Sequence, residues 1–178
     1  RAISDAVDLP QIIYNIPGRS AQNVGPETQL AIAETCGNVV ATKEASANLE
    51  QMCEIIRHAP SHFSLLAGDD SLALPAIACG ATGTIAVISN YLPRVFGTLV
   101  HAALADNMLR AREIPIYLMQ FYNAHFIEPN PLPVKYILHK LGHIALEYRL
   151  PLITPLASTM DRLDAVVTTI DDTWSPVD

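Results

Sequence analysis

Lys43, Tyr14 and Arg19 are the residues whose types and spacing could do chemistry together. A lysine amine can attack a carbonyl and hold it as an imine. A phenol can pass protons, and a guanidinium can grip a carboxylate through two parallel hydrogen bonds. Lys43 lies near the end of the stretch Asn38-Val39-Val40-Ala41-Thr42-Lys43-Glu44-Ala45, where small and β-branched residues precede it. An ammonium beside such an apolar wall is poorly solvated, which favours the neutral, nucleophilic form. The chain holds only three lysines, and the other two, Lys135 and Lys140, lie in more polar surroundings. Each residue of the trio also has an ordinary reading. Lys43 can snorkel to water or pair with Glu44, Tyr14 can be a core aromatic, and Arg19 can form a weak surface ion pair.

The elements that must position these groups follow from hydrophobic pattern and turn chemistry. Strands are expected at Gln11–Ile16, closed by Pro17-Gly18, and at 38–43, 63–67 and 84–88. Helices are expected as a helix end over 1–8, from Pro26 through Glu34, over 49–58 and over 71–79. Asn48 caps the third, whose apolar side is Leu49, Met52, Cys53 and Ile56; an aspartate of Gly68-Asp69-Asp70 is placed to cap the fourth. The strands are apolar throughout and do not alternate, as suits parallel strands covered on both faces. Four such βα units make half of an eightfold barrel or a small open doubly wound sheet. In either fold the reactive groups gather at the C-terminal strand ends. Here these carry Tyr14 and Arg19, then Lys43, then Gly68-Asp69-Asp70, then Ile88-Ser89-Asn90. After residue 90 only helices are expected, at 91–104, 106–125, 133–143 and 159–171, with proline-stiffened links between them and a frayed tail from Asp171.

Composition narrows the function. With 178 residues, half of them apolar, the chain can bury a sizeable core. A net charge of −7 without a basic patch argues against nucleic acid or an anionic membrane as partner. The most apolar stretch, Thr82 to Ala105, is broken by Asn90, Pro93, Arg94 and His101, so no membrane span is expected. Cys36, Cys53 and Cys79 stand far apart, which points to reduced, mostly buried thiols in a cytoplasmic protein. His139 and His143 stand at i, i+4 spacing, but no third ligand is near in sequence and Gly142 weakens the helix, so no metal is expected.

Tyr14-Asn15-Ile16-Pro17-Gly18-Arg19-Ser20, followed 29 residues after the tyrosine by Lys43-Glu44-Ala45-Ser46, resembles the dihydrodipicolinate synthase family. That family belongs to the pyruvate-dependent aldolases, which include N-acetylneuraminate lyase. The likeness continues in order through Leu66-Ala67-Gly68-Asp69-Asp70, Gly83-Thr84-Ile85-Ala86-Val87, the segment Phe126 to Lys135, and Leu150-Pro151-Leu152. The resemblance implies an α/β fold, the C-terminal half of a (β/α)8 TIM barrel. Its last four βα units would occupy 1–105, and a C-terminal helical domain 106–178. It further implies a cytoplasmic homotetramer without cofactor or metal, condensing pyruvate with aspartate 4-semialdehyde on the route to diaminopimelate and lysine. Lys43 would form the Schiff base, Tyr14 would transfer protons, Arg19 would bind the carboxylate of the second substrate, and the backbone of Ile85 would lie beside pyruvate. Sialic-acid lyases resemble this loop but usually carry an apolar residue at the position of Arg19. By strand count, the family's other four βα units would precede Arg1, bringing hydroxyl-bearing threonines, a second tyrosine from a neighbouring subunit and a lysine feedback site. Four strands also leave two open edges. The expectation is therefore a segment of a longer polypeptide that pairs with the missing half-barrel. The alternatives are a sibling pyruvate aldolase such as N-acetylneuraminate lyase, or an inert half-barrel that serves only in assembly.

Overall fold

The structure is a computed structural model that describes residues 1–174. The described residues group into two compact units, one of residues 1–86 and one that starts at residue 87.

The first unit runs α1 (Ala2–Ala6), β1 (Gln11–Asn15), α2 (Pro17–Ser20), α3 (Pro26–Thr35), β2 (Val39–Glu44), α4 (Leu49–His58), β3 (Ser64–Ala67), a 3-10 turn (Asp70–Leu72), α5 (Ala73–Ala78) and β4 (Gly83–Thr84). The four strands form one sheet in the order β1-β2-β3-β4, every neighbouring pair parallel, which is the βα architecture the non-alternating apolar runs predict. Helix α3 packs on β2 and α4, and α4 packs on β3, so the core lies between the helices and one face of the sheet. Met52 and Ile55 of α4 are wholly buried there, each contributing about 1.5–3 kcal/mol by leaving water.

Helix α4 has the expected bounds, and Asn48 accepts the Gln51 N–H at 3.1 Å as its cap. Its buried stripe, however, is Gln51, Met52 and Ile55; Cys53 is exposed. The stripe is rotated because Gln51 turns inward to polar partners described below. The expectation of mostly buried thiols also fails, since Cys36 is buried but Cys53 and Cys79 are exposed. Strand β4 is shorter and earlier than the expected 84–88. Ile85 N donates to Ala67 O at 2.9 Å as a last rung, and the chain then leaves the sheet for a 3-10 turn at Ile88–Asn90. A short apolar run does not by itself distinguish a strand from the turn that follows it.

The second unit continues with α6 (Pro93–Leu104), α7 (Met108–Ala111), α8 (Ile114–Ala124), α9 (Leu132–Lys140) and α10 (Ala157–Val167). The single helix expected over 106–125 is two, because Pro115 lacks an N–H and cannot follow a helical turn; it sits instead in the first turn of α8. Helix α10 packs on α8 and α9. The tail expected to fray is tied down as far as it is described. Asp172 accepts the N–H groups of Arg94 and Val95 at 3.0 and 3.3 Å, and Trp174 stacks on Tyr117 at 4.6 Å. Residues 175–178 of that tail lie outside the described residues. No helix among the described residues is long and apolar enough to cross a membrane.

His125, at the end of α8, is completely buried, with Nδ1 2.9 Å from the Tyr91 hydroxyl. Burial pushes its pKa from 6.5 down to about 4, because an imidazolium there would lack water. The unfolded chain therefore binds a proton between those values that the folded chain refuses. The resulting stability is full above pH 6.5 and is lost as pH falls through about 4. A shift of that size is worth on the order of 3 kcal/mol. Thermal unfolding measured from pH 7 to 4 is expected to show a falling midpoint, and His125→Gln to flatten that slope.

Candidate active site

Parallel pairing places Tyr14 directly opposite Lys43, and Asn15 directly opposite Glu44. Side chains alternate across a strand, so Tyr14 and Lys43 share one face of the sheet while Asn15 and Glu44 share the other. On the first face the Lys43 ammonium nitrogen lies 4.1 Å from the centre of the Tyr14 ring. The ring face attracts a cation, whether the ammonium or an iminium formed from it, by about 0.5–1 kcal/mol at an exposed site. Tyr14 is 52% exposed and Lys43 half-buried, so the pair stands accessible on this chain. Ile12 and Ile85 are also exposed, at 48% and 40%. They lie on the same face by alternation, and together with Tyr14 give it an apolar rim.

Arg19 and Ile85 stand at the ends of neighbouring elements. Arg19 is exposed on α2, the short turn that Pro17 starts immediately beyond β1. Ile85 stands at the end of β4, two strands from Lys43. Its N–H is committed to Ala67.

On the opposite face Glu44 does not pair with Lys43. It is wholly buried and accepts hydrogen bonds from Asn15, Gln29, Gln51 and the Ser46 N–H. The ordinary reading of Lys43 had allowed a pairing with Glu44. The signal that would have corrected this was the alternation itself, which sends neighbours in one strand to opposite sides.

An aspartate was expected to cap the helix after β3; Asp69 stands at the N-cap of the 3-10 turn but makes no side-chain cap bond. The chain passes first through the 3-10 turn, and the Asp69 carboxyl receives the backbone N–H of Ala47. Its Oδ2 is buried with no hydrogen-bond partner among the described residues. Burial raises the Asp69 pKa; the Ala47 bond and the nearby Lys43 charge pull it back less strongly, while Glu44 adds to the rise. Gly68, just before it, allows β3 to meet the end of β2. A Cβ there would lie 2.6 Å from the Ala45 Cβ and 2.9 Å from the Glu44 carbonyl oxygen, which accepts the Gly68 N–H at 2.8 Å.

The family model for the "Dihydrodipicolinate synthetase family" matches residues 1–170. The 4-hydroxy-tetrahydrodipicolinate synthase of Chloroherpeton thalassium is 42% identical over 165 residues, which is 93% of this chain and 55% of that protein. The solved dihydrodipicolinate synthase of Aquifex aeolicus superposes with a TM-score of 0.91 at 41% identity, over 94% of this chain and 57% of that one. A chloride-inhibited dihydrodipicolinate synthase from Acinetobacter baumannii, solved in complex with pyruvate, gives 0.89 at 30% identity, again over 94% and 57%. This chain belongs to the dihydrodipicolinate synthetase family, and it spans just over half the length of the relatives it matches.

Two outcomes follow from the geometry. Gly68→Ala forces the β2–β3 junction apart and is expected to lower stability by about 1–3 kcal/mol in urea unfolding. Because the Asp69 pKa is raised, the stability linked to its protonated form is present below pH 3.8 and lost as pH rises through the folded value. Asp69→Asn keeps an acceptor for Ala47 but carries no charge. It is expected to raise the thermal midpoint at pH 7 and to give no gain at pH 3.

Proposed function

We propose that this chain carries the Schiff-base centre of a pyruvate-dependent lyase. The enzyme condenses pyruvate with aspartate 4-semialdehyde to 4-hydroxy-tetrahydrodipicolinate, the entry to diaminopimelate and lysine. The observation that carries this reading is the Tyr14 ring against the Lys43 nitrogen at paired strand ends, in a chain whose relatives are named for that reaction.

In this reading the Lys43 amine adds to the keto carbon of pyruvate, and loss of water leaves an iminium. The iminium draws electrons from the neighbouring methyl group, which gives up a proton to form an enamine. The enamine carbon attacks the aldehyde of the semialdehyde, while Arg19 holds its carboxylate through paired hydrogen bonds. Tyr14, whose ring lies against the Lys43 nitrogen, carries protons to and from the reacting atoms. The amino group of the second substrate then displaces Lys43, closing the ring and regenerating the amine. Since the Ile85 N–H is engaged, any backbone contact from that residue to pyruvate falls to its carbonyl. The pyruvate complex of the Acinetobacter relative supports the choice of first substrate.

The activity is proposed for a cytoplasmic homotetramer in which four further βα units complete the barrel over the exposed Ile12, Tyr14 and Ile85. A phenol has a pKa of about 10 and needs relay partners to shuttle protons at neutral pH. The coverage of the relatives, just over half their length, favours a second reading for the chain in isolation. It would capture pyruvate without completing the cycle, serving as an assembly module.

Incubation with pyruvate and sodium borohydride, followed by peptide mass mapping, tests the proposal. One reduced pyruvate is expected on Lys43 and none on Lys135 or Lys140. Lys43→Ala should abolish the adduct, and Tyr14→Phe should keep it while slowing turnover by roughly 100-fold. An unmodified Lys43 would overturn the Schiff-base assignment.

A further inference from the structure

Glu44 is a buried carboxylate that accepts from side-chain amides and a backbone N–H, one residue from the proposed nucleophile. It is 0% exposed, as is Gln29, with Asn15 at 1% and Gln51 at 7%. Asn15 Nδ2 donates to both its oxygens, at 2.9 and 3.0 Å. Gln29 Nε2 and Gln51 Nε2 donate to Oε2 at 2.8 and 3.1 Å, and the Ser46 N–H donates to Oε1 at 2.9 Å. All these partners donate, so the site fits an acceptor-only group. A buried charge is costly unless hydrogen-bonded on every side, and here the donors surround it.

What the cluster holds in place can be read from where the donors come from. Asn15 ends β1, Gln29 lies on α3, Gln51 on α4, and Ser46 lies in the loop after β2. The donors are themselves held. Asn15 accepts the Val24 N–H at 3.0 Å, Gln29 donates to Val24 O at 2.7 Å, and Gln51 and Asn15 both bond Asn23 Oδ1, at 3.2 and 2.8 Å. Backbone bonds close the same level, Ala45 N to Asn15 O and Gly68 N to Glu44 O, each 2.8 Å. The Asn15–Glu44 pair thus clamps β1 to β2 one step beyond the Tyr14–Lys43 pair, on the reverse side of the sheet. A one-residue slip of that register would send Tyr14 or Lys43 to the wrong face.

We propose that Glu44 is the positioning residue of the Lys43–Tyr14 pair. Its buried carboxylate locks the register of β1 against β2, and so fixes the phenol beneath the amine. The proposal rests on the Schiff-base reading for its chemistry and on the clamp for its geometry, and the two are tested separately.

Glu44→Gln keeps the shape but turns one acceptor into a donor facing the Gln29 and Gln51 amides. Two measurements are made on wild type and this variant: the borohydride trapping rate at saturating pyruvate, and amide hydrogen exchange at residues 14–15 and 43–45. Asn15→Ser, which removes the cross-strand link together with the Asn15 bonds to Val24 and Asn23 but leaves the Glu44 carboxylate in place, replaces the variant if Glu44→Gln does not fold. The expected result is a trapping rate lower by at least about tenfold per folded molecule, with the pyruvate concentration for half-maximal rate changed much less, and faster exchange at both strand ends. A merely structural role would lower the melting temperature yet leave the rate of the folded fraction unmoved, and that result overturns the proposal. If wild type itself forms no adduct, the Schiff-base reading fails and exchange alone decides. Faster exchange at both strand ends then sustains the clamp, and unchanged exchange overturns it.

Discussion

The register of β1 against β2 is the constraint on which the site depends. Parallel strands set residues opposite one another at fixed levels, and here two successive levels do different work. One level pairs a phenol with an amine on the face where side chains are exposed. The next pairs an amide with a carboxylate on the face packed beneath the helices. Neither level would survive a shift of one residue, because alternation would exchange the faces. The buried side of the sheet therefore controls the accessible side, and polar residues bring specificity where apolar ones would bring only adhesion.

This arrangement also explains the features around it. Gly68 is demanded by how closely β3 approaches the end of β2, since any Cβ would strike Ala45. Gln51 turns into the core because Glu44 needs donors, which rotates the buried stripe of α4 away from the positions that hydrophobic spacing picks out. Asp69, half-buried at the next strand end, takes the Ala47 N–H instead of capping a helix. These are all consequences of crowding polar groups at one end of a small parallel sheet.

Much of this was legible in the sequence. Strand positions, the Asn48 cap and the meeting of Tyr14 with Lys43 follow from local pattern, turn chemistry and the rule that parallel βα folds gather chemistry at strand ends. What local pattern missed was set by tertiary context. It did not show that Glu44 faces away from Lys43 into an amide cage, because a charged residue in a strand reads as a surface residue until its neighbours are known. It extended β4 through Ile88, since an apolar run does not announce where hydrogen bonding stops. It also ran a helix across Pro115, where the missing N–H makes the break intelligible in retrospect. The motif order from Tyr14 to Lys135 pointed to the family, and the match over residues 1–170 agrees.

The contact between Lys43 and Tyr14 is the central claim, and nuclear magnetic resonance on 13C-lysine-labelled protein reads it directly. With three lysines in the chain, the ε-methylene signals are few enough to assign by single substitutions. A nitrogen 4.1 Å from the ring centre requires the Lys43 ε-methylene to be shifted upfield and to show cross-relaxation to the Tyr14 ring protons, with the shift vanishing in Tyr14→Leu. A Lys43 signal at the position of a solvated lysine, without that cross-relaxation and indifferent to Tyr14→Leu, would contradict the account.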